Sequence, residues 1–486
     1  MTPSKYQSAI YDWVGNGQGS AVIEAVAGSG KTSTILEVLK LIPCTSAVLM
    51  LAFNKSIADE LKSRVPPHVV VKTFNGLGHS ILSKRLGKLE LSSWKMRDIV
   101  RASMEKEEFT EFGTEVIALA NFARRVGLSA SPDETKWEDV LHHFGITIEL
   151  DIREEAINYA RAALNRSVEM AIHEKIVDFD DQIYIPSMRK GFAADTYDWV
   201  FVDEAQDASK TRIKLAKLSL NPGGRVVACG DSSQAIYGFT GADSDAMNSF
   251  SEVFNACKFP LSISYRCAKS IVRAAQKVMP AIEFSDTAKE GAVEYYGLDW
   301  KLGIFTIGDM VVSRRNAPLM SLAWKLVGSG VGCRILGRDI SSGLTSLIKK
   351  LRAKSLPELG GKLRKWLADE KANLDPEKDA VLIDQLTDKA NCITTLLQTQ
   401  SVDTVQGLIG VIEGMFSDDT SDASSTITLC SVHKSKGLEA DRVFILNPQD
   451  MPLASAKLPW QVEQEYNLLY VAITRAKSIL TFIEME

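Results

Sequence analysis

The sequence predicts an α/β fold built on two mostly parallel sheets. Short apolar runs alternate with stretches of helical periodicity, a pattern typical of strand–helix–strand units. The runs also fall into two sets that are separated along the chain, which favours one sheet for each set. The predicted strands are residues 21–24, 47–52, 69–72, 199–202 and 226–229 in the first set, and 310–313, 333–336, 427–431, 443–446 and 479–483 in the second.

Composition sets the limits on size and class. The chain has 486 residues, of which 45% are hydrophobic and 24% charged, an ordinary globular balance with room for three or four domains. Its net charge of −5 excludes a surface covered with nucleic-acid-binding charge but leaves room for a local basic groove. No apolar run approaches the ~20 residues that cross a bilayer, so we expect no membrane partner. Seven cysteines occur singly, which indicates neither a zinc site nor a disulfide framework.

Two long stretches have helical periodicity and no strand pattern. They cover residues 85–175 and 341–424, and we expect each to form a mainly helical insert between strands of one sheet. The second stretch ends in an acidic segment rich in Ser and Asp, residues 417–425, which we interpret as a linker.

A glycine-rich loop follows the first predicted strand and precedes a helical pattern. Gly28 and Gly30 allow the backbone N–H groups to point at a phosphate, and the start of the helix adds partial positive charge. Lys31 is placed to reach the β- and γ-phosphates of a nucleotide, and the Thr32 hydroxyl is placed to bind Mg²⁺. Ala25 replaces the first glycine of the usual pattern, so a chance glycine turn is the alternative interpretation.

Two adjacent carboxylates follow the predicted strand at 199–202. Asp203 and Glu204 alone are compatible with a solvated turn, which is where most acid pairs occur. Together with the glycine loop they indicate nucleotide hydrolysis, because the carboxyl ends of neighbouring parallel strands meet at one sheet edge. We expect Asp203 to bind Mg²⁺ and Glu204 to act as the general base that activates water.

Further segments, in order along the chain, resemble the motifs of superfamily 1A DNA helicases of the UvrD/Rep type. Gln7 resembles the Q motif, and the segments AFNKSIA at 52–58 and KTF at 72–74 resemble motifs Ia and Ib. GDSSQAIYGFTG at 230–241 is similar to motif III, LSISYR at 261–266 to motif IV, SVHKSKGLE at 431–439 to motif V, and EYNLLYVAITRAK at 465–477 to motif VI. The forms of motifs Ia and Ib also resemble the motor of the F-box DNA helicase branch.

The resemblance implies two RecA-like parallel-sheet motor domains, each interrupted by a mainly helical insert. Domain 1A, which binds ATP, would cover residues 1–84 and 176–260, with insert 1B over 85–175. Domain 2A would cover residues 261–340 and 425–486, with a small insert 2B over 341–424.

The resemblance also assigns roles in ATP binding and hydrolysis. It implies that Gln234 senses the γ-phosphate and that Arg266 and Arg475 are arginine fingers, which join Lys31 and Glu204 as catalytic residues. The implied metal ligands for Mg²⁺ are Thr32 and Asp203. The implied ATP-binding residues are Gln7, Ala27, Gly28, Ser29, Gly30, Lys31, Thr32, Ser33, Tyr265, Gly437 and Glu439.

A second group of residues resembles the family positions that line single-stranded DNA. Aromatic side chains stack on bases irrespective of sequence, whereas polar groups bind the sugar–phosphate backbone. The implied DNA-binding residues are Phe53, Asn54, Thr73, Phe74, Tyr237, Phe239 and His433. For Phe53 and Phe74 a place in the core is an equally open interpretation, since apolar aromatic residues are commonly buried.

The implied function is an ATP-dependent DNA helicase or translocase that moves 3′→5′ on single-stranded DNA. The alternatives are a translocase that strips proteins from single strands, an RNA-directed motor, and a nucleotide-gated binding module without hydrolysis. Expected partners are single-stranded DNA, its junctions with duplex, and single-strand-binding, replication or repair proteins. We expect a cytoplasmic protein associated with the nucleoid, or a nuclear one in a eukaryote.

Overall fold

The computed structural model of the chain describes residues 3–130, 133–144, 146, 148, 151–238, 245–372, 374, 376, 379–398, 402–416 and 426–485. Internal contacts divide the chain into two units. The first comprises Met1–Val26 and Gly30–Ser262, and the second comprises Ala27–Ser29 and Ile263–Glu486. Each unit contains a parallel sheet of six strands, which confirms the predicted α/β class.

The sheet of the first unit has the strand order β3-β2-β6-β7-β1-β8. Alternate side chains enter two cores, one on each face: Ile23, Met50 and Phe201 pack on one side, and Val22 and Leu49 on the other. A parallel sheet covered on both faces requires such continuous apolar strands. Its strands are β1 (Ala21–Ala25), β2 (Val48–Ala52), β3 (Val69–Thr73), β6 (Tyr197–Val202), β7 (Leu220–Gly230) and β8 (Cys257–Leu261), and a separate short pair is β4 (Glu90–Leu91) with β5 (Ile176–Val177).

Helices flank this sheet and fill the chain between β3 and β6. The helices after β3 enclose their own core around the fully buried Trp137 and Val116. The helices are α1 (Lys5–Asn16), α2 (Lys31–Leu41), α3 (Lys55–Lys62), α4 (Phe74–Leu86), α5 (Lys95–Ser103), α6 (Lys106–Val126), α7 (Glu134–Phe144), α8 (Arg153–Glu169), α9 (Phe179–Met188), α10 (Lys210–Leu218) and α11 (Ala246–Phe254), with a π-helical turn at Met170–Glu174.

Side-chain caps fix where several of these helices begin. Ser4 and Gln7 form a capping box at the start of α1, and Asp178 with Asp181 forms another at the start of α9. Such reciprocal bonds satisfy backbone N–H groups that lack a partner within the helix. They therefore set the register at which α1 and α9 enter the fold.

The sheet of the second unit has the order β11-β16-β15-β12-β14-β13. Its strands are β11 (Ala292–Tyr296), β12 (Met310–Ser313), β13 (Cys333–Ile335), β14 (Ile427–Ser431), β15 (Ala440–Leu446) and β16 (Ala476–Ile483), and a short pair is β9 (Ile263–Ser264) with β10 (Glu283–Phe284). The helices are α12 (Lys269–Ala275), α13 (Ala317–Gly328), α14 (Arg338–Leu351), α15 (Leu356–Ala372), α16 (Ala380–Gln398), α17 (Val405–Met415), α18 (Val432–Ser435) and α19 (Pro459–Ile473).

The helices between β13 and β14 share one core with the sheet. Leu347, Ile393 and Ile412 from these helices belong to the same buried cluster as Val311 and Phe444 from the strands. This differs from the first unit, where the helices after β3 have a core of their own. The predicted linker at residues 417–425 lies outside the described residues.

The predicted strands are found, and six of the strands that the structure describes were not predicted: the short pairs β4–β5 and β9–β10, and the longer strands β8 and β11. Both β8 and β11 lie at sheet edges, where one side of a strand is exposed and the apolar pattern is diluted. Pro260 lies within β8, a position that an edge strand tolerates because one row of its N–H groups makes no ladder bonds. Among the described residues, no helix combines the length and apolar composition needed to cross a bilayer.

Helix α4 packs very closely on α9 at Gly78. A Cβ atom at this position would lie 1.7 Å from the carbonyl oxygen of Gln182, which is backbone and cannot rotate away. We expect Gly78→Ala to lower the free energy of unfolding by roughly 1–3 kcal/mol, as overpacking does. Chemical denaturation measures this change.

Gly15 in α1 provides the matched control, because a Cβ atom there meets nothing within 4 Å. Gly15→Ala should raise stability slightly, since alanine loses less backbone entropy in a helix. Equal stability of Gly78→Ala and the unaltered chain would contradict the close packing of α4 on α9.

Candidate nucleotide-hydrolysis site

The glycine loop connects β1 to α2 with two residues in the left-handed region. Gly28 has a φ of 71° and Gly30 a φ of 80°, conformations that L side chains rarely adopt. Gly30 caps α2 without a side-chain hydrogen bond, so the first N–H groups of the helix have no side-chain cap. Within the described chain, the buried Ser29 hydroxyl makes no hydrogen bond. These donors fit a phosphate group.

Lys31 lies at the first position of α2 and forms an ion pair with Glu204. Its Nζ is 3.3 Å from Glu204 Oε1, and its side chain is only 12% exposed. Burial favours the neutral amine, but the carboxylates of Glu204, Asp231 and Asp203 outweigh it and raise the pKa of Lys31 above its ordinary value. The lysine therefore keeps its positive charge, as phosphate binding requires.

Asp203 directly follows β6 and is almost completely buried. Its Oδ1 accepts the backbone N–H of Glu204 at 3.0 Å. Burial, with the nearby charge of Glu204, raises the pKa of Asp203 to about 6, although Lys31 opposes the shift. Thr32 is half-buried at the start of α2. A buried carboxylate whose charge is disfavoured fits a divalent cation, and Asp203 with Thr32 would hold Mg²⁺.

Glu204 adopts a positive φ of 51°, a strained conformation for a residue with a side chain. The 3₁₀ turn Ala205–Asp207 follows it, and the Gln206 amide donates a hydrogen bond to its carboxylate. The carboxylate is thus held on two sides, by Lys31 and by Gln206. Such fixation suits a group that must orient water.

Gln234 is held by a hydrogen-bond network whose other members were not predicted as site residues. The Gln234 amide donates to Asp231 Oδ2 at 2.6 Å, and the Asp231 backbone N–H donates to Gln206 Oε1 at 3.0 Å. Burial raises the pKa of Asp231 to about 6. Glu24 at the end of β1 accepts the backbone N–H of Ser232 at 2.8 Å.

Gln206, Asp231 and Glu24 were not predicted as site residues. Asp231 lies inside the segment 230–241 matched to a family motif, and Gln206 lies two residues after Glu204. Nothing in the sequence singled out Glu24.

Gln7 contacts the helix that follows the glycine loop. Its Nε2 donates to Thr34 Oγ1 at 3.1 Å, and Thr34 Oγ1 in turn donates to the Gly30 carbonyl at 2.9 Å. Ala27 is buried, whereas Ser33 is exposed. The structure thus connects Gln7 to the base of the loop through Thr34.

In the second unit, Arg266 and Glu439 form an ion pair. Arg266 Nε lies 2.6 Å from Glu439 Oε2, and Lys477 Nζ lies 2.7 Å from Glu439 Oε1. Gly437, with a φ of 88°, precedes this carboxylate, and the nearby Tyr265 is 42% exposed. Glu439 therefore forms ion pairs with both Arg266 and Lys477.

Arg475 is 1% exposed and bound to its own unit. Its Nε donates to the Val471 carbonyl at 3.0 Å, and Nη1 donates to the Leu438 carbonyl at 3.1 Å. These bonds fix the guanidinium against the end of α19 and the chain before β15. Its role as an arginine finger stays a prediction.

Phe53 and Tyr237 form a stacked pair among the residues expected to bind DNA. Their ring centroids lie 6.0 Å apart with planes 10° from parallel, and both residues are half-buried. Burial raises the pKa of Tyr237 to about 12, so its hydroxyl stays protonated. Phe239 lies outside the described residues.

The remaining residues of this group have local structural roles. Asn54 and Thr73 cap α3 and α4 by accepting backbone N–H groups at 2.9 Å. Phe74 is 4% exposed and belongs to the core. His433 lies in α18. Burial and the nearby charge of Arg314 lower the pKa of His433 to about 3, so its imidazole is neutral. DNA contact by these residues stays a prediction.

Parallel sheets with a glycine loop and acidic residues at their carboxyl ends define the P-loop class of α/β proteins. The model of the UvrD/REP helicase N-terminal domain matches residues 8–255, and that of the UvrD-like helicase C-terminal domain matches residues 340–486. The chain therefore belongs to the UvrD/REP helicase family.

Similarity to individual proteins is consistent with this family assignment. The chain is 26% identical to F-box DNA helicase 1 of Gallus gallus, over 94% of this chain and 46% of that protein. It is 22% identical to F-box DNA helicase protein 1 of Schizosaccharomyces pombe, over 94% of this chain and 55% of that protein. It is 23% identical to the ATP-dependent DNA helicase UvrD2 of Mycobacterium tuberculosis, over 95% and 76% respectively. The chain thus spans about half the length of the F-box relatives.

The raised pKa of Asp231 predicts a pH dependence of stability. Because the folded protein holds this proton up to about pH 6 and the unfolded chain releases it near 3.8, stability falls as the pH rises between these values. Asp231→Asn removes this contribution, so its stability should fall less than that of the unaltered chain between pH 4.5 and pH 7, by about 2 kcal/mol. Denaturant unfolding without nucleotide or magnesium measures the difference.

The exposed Asp59, whose pKa is lowered by its hydrogen bond to Lys62, supplies the control as Asp59→Asn. That variant should follow the pH profile of the unaltered chain over the same interval. An Asp231→Asn profile parallel to that of the unaltered chain would mean that Asp231 titrates normally in the fold.

Proposed function

We propose that this chain is an ATP-dependent DNA helicase or translocase that moves on single-stranded DNA. The Lys31–Glu204 ion pair beside the buried Asp203 carries the proposal, because these groups supply phosphate binding, water activation and metal binding in one cluster. Family membership supports DNA as the polymer on which the protein moves, since a relative bears the name ATP-dependent DNA helicase.

The residues of the chain divide the chemistry between them. The loop N–H groups and Lys31 would bind the β- and γ-phosphates of ATP, with Lys31 exchanging Glu204 for phosphate oxygen. Glu204 would then orient water and accept its proton as the water attacks the γ-phosphorus, while the bond from that phosphorus to the bridging oxygen breaks and ADP leaves. Magnesium, when bound by Thr32 and Asp203, supplies positive charge against the phosphates. Gln234, fixed by Asp231, would register the γ-phosphate.

Movement along DNA would follow from domain closure on ATP and reopening after hydrolysis. The stacked Phe53–Tyr237 pair offers an aromatic surface to bases, which bind such surfaces without regard to sequence. The 3′→5′ direction rests on resemblance to the family. Arg266 and Arg475 would stabilise the charge that develops on the γ-phosphate.

Strand displacement on tailed duplexes tests the proposal. We expect ATP-dependent unwinding of a duplex with a 3′ single-stranded tail and none with a 5′ tail. Displacement of streptavidin from a biotinylated single strand, without unwinding, would identify the protein-stripping translocase instead. Failure of both reactions with either tail would contradict a DNA motor, and activity confined to RNA strands would indicate the RNA-directed alternative.

Lys31→Ala should reduce ATP hydrolysis by at least ~10²-fold, because it removes the charge that binds phosphate. Binding to single-stranded DNA should persist, since the Phe53–Tyr237 pair is untouched. The control is Lys40→Ala, an exposed lysine at the other end of α2 that pairs with the exposed Glu37. Hydrolysis rate and oligonucleotide affinity are measured on both variants. Loss of DNA binding in a folded Lys31→Ala protein would overturn this division of roles.

Glu204→Gln should retain ATP binding and slow turnover by ~10²-fold or more, the usual contribution of a general base. Glutamine keeps the size and one acceptor oxygen but has no negative charge and cannot act as a base. Glu37→Gln on the exposed face of α2 is the matched control. Single-turnover hydrolysis, with nucleotide affinity measured separately, checks the prediction. Turnover near that of the unaltered chain would remove Glu204 as the base.

A further inference from the structure

The side chain of Glu24 has no role in the proposed mechanism. It lies in β1, the interior strand between β7 and β8. Side chains two residues apart point to the same face of a strand, so Glu24 shares its face with Val22, which is 1% exposed and part of the core. Glu24 itself is half-buried. A carboxylate that loses water in this way must gain hydrogen bonds, and its partners show what it holds in place.

Ser232 donates two hydrogen bonds to the Glu24 carboxylate. Its backbone N–H donates to Glu24 Oε1 at 2.8 Å, and its hydroxyl donates to the same oxygen. Ser232 is the first residue of the 3₁₀ turn Ser232–Gln234, and N–H groups at the start of such a turn have no partner within it. Hydrogen bonds to a carboxylate are stronger than those between neutral groups. Glu24 therefore caps the turn that follows β7 from the strand beside it.

Asp231 caps the same turn from within its own segment. Its Oδ1 accepts the Ser233 N–H at 3.1 Å, and its Oδ2 accepts the Gln234 side-chain amide at 2.6 Å. Gln234 is 6% exposed. Two carboxylates thus hold the turn, and Asp231 also holds the Gln234 side chain. Because Glu24 belongs to β1, it ties the position of the turn to that strand.

Strand β1 ends one residue after Glu24, where the glycine loop begins. In the register of the sheet, Glu24 pairs with Gly230, the last residue of β7. The two strands therefore end side by side. One leads to the loop that would bind phosphate, and the other leads to the turn that bears Gln234. The contact between Glu24 and Ser232 joins these two segments by hydrogen bonds.

We propose that Glu24 is a positioning residue for ATP hydrolysis, which acts through Ser232 to set the distance between Gln234 and the glycine loop. The proposal rests on the proposed function, because it takes Gln234 as the group that registers the γ-phosphate. Phosphoryl transfer depends on the alignment of the reacting groups, so a displaced Gln234 slows the reaction of bound nucleotide more than it weakens nucleotide binding. Glu24 therefore contributes to kcat rather than to KM.

A purely electrostatic effect of Glu24 predicts the opposite pattern. Its negative charge lies at the edge of the sheet where the phosphates of ATP would bind. Removal of that charge would then strengthen ATP binding and lower KM, with kcat unchanged. The substitution Glu24→Gln separates the two effects, because glutamine removes the charge but keeps an oxygen that accepts hydrogen bonds.

Steady-state ATP hydrolysis by the full chain, with saturating oligothymidylate, tests the proposal through kcat and the KM for ATP. Glu24→Ala should lower kcat ~10-fold, as loss of a hydrogen bond to a charged group does, with KM within ~2-fold of the unaltered value. Glu24→Gln should recover most of that loss in kcat. Ser232→Ala should cause a smaller loss, since its backbone N–H remains. Glu37→Ala, at an exposed glutamate of α2, is the matched control and should change neither constant.

A double substitution tests the contact itself. Glu24→Ala combined with Ser232→Ala should have the kcat of Glu24→Ala alone, because the Ser232 hydroxyl has already lost the Glu24 oxygen. Losses that multiply in the double variant would mean that the two residues act independently, and would overturn the proposal.

The outcomes separate this proposal from the proposed function. If the unaltered chain hydrolyses no ATP, the proposed function fails and the role of Glu24 fails with it. If the unaltered chain hydrolyses ATP, a Glu24→Ala protein with the same kcat, or a loss that Glu24→Gln does not recover, overturns only the role of Glu24. A lowered KM at unchanged kcat in both Glu24 variants overturns it as well. Should Glu24→Ala not fold, Ser232→Ala decides the question: a lowered kcat at unchanged KM supports the role, and an unchanged kcat overturns it.

Discussion

The ion pair between Lys31 and Glu204 is the interaction on which the candidate site depends. One buried cation faces Glu204, Asp203 and Asp231, and buried charges persist only when they are paired. Burial and the excess of carboxylates over cations raise the pKa values of Asp203 and Asp231 to about 6. Phosphate would compete with Glu204 for the lysine, whereas a divalent cation would relieve the crowded carboxylates. The cluster therefore favours a nucleotide together with its metal over either one alone.

Topology explains how residues far apart in sequence reach this cluster. Lys31 follows β1, Asp203 and Glu204 follow β6, and Asp231 follows β7, and these parallel strands end at the same sheet edge. The strand β7 lies between β1 and β6, so its loop supplies Asp231 and Gln234 beside the other two. The second unit repeats the parallel six-stranded design, and Arg266, Glu439 and Arg475 cluster there through bonds within that unit.

The sequence predicted the interior strands well because continuous apolar runs such as residues 48–52 are buried on both faces. It missed β8 and β11, since edge strands such as Cys257–Leu261 mix exposed and buried residues. Motif residues could be named from the sequence, but their partners could not. The hydrogen bond from Gln234 to Asp231 and the contact of Arg212 with Phe53 depend on chain segments brought together only by folding. The burial of Phe74 was likewise left open by its sequence pattern.

The central claim is that nucleotide hydrolysis at the Lys31 cluster is coupled to a single strand of DNA. Steady-state ATP hydrolysis by the unaltered chain tests it most directly when compared without nucleic acid, with single-stranded DNA, with blunt duplex DNA and with single-stranded RNA. We expect strong stimulation by single-stranded DNA and little by the other additions. Hydrolysis that proceeds at one rate in all four conditions would leave an ATPase without a DNA track and would contradict the account.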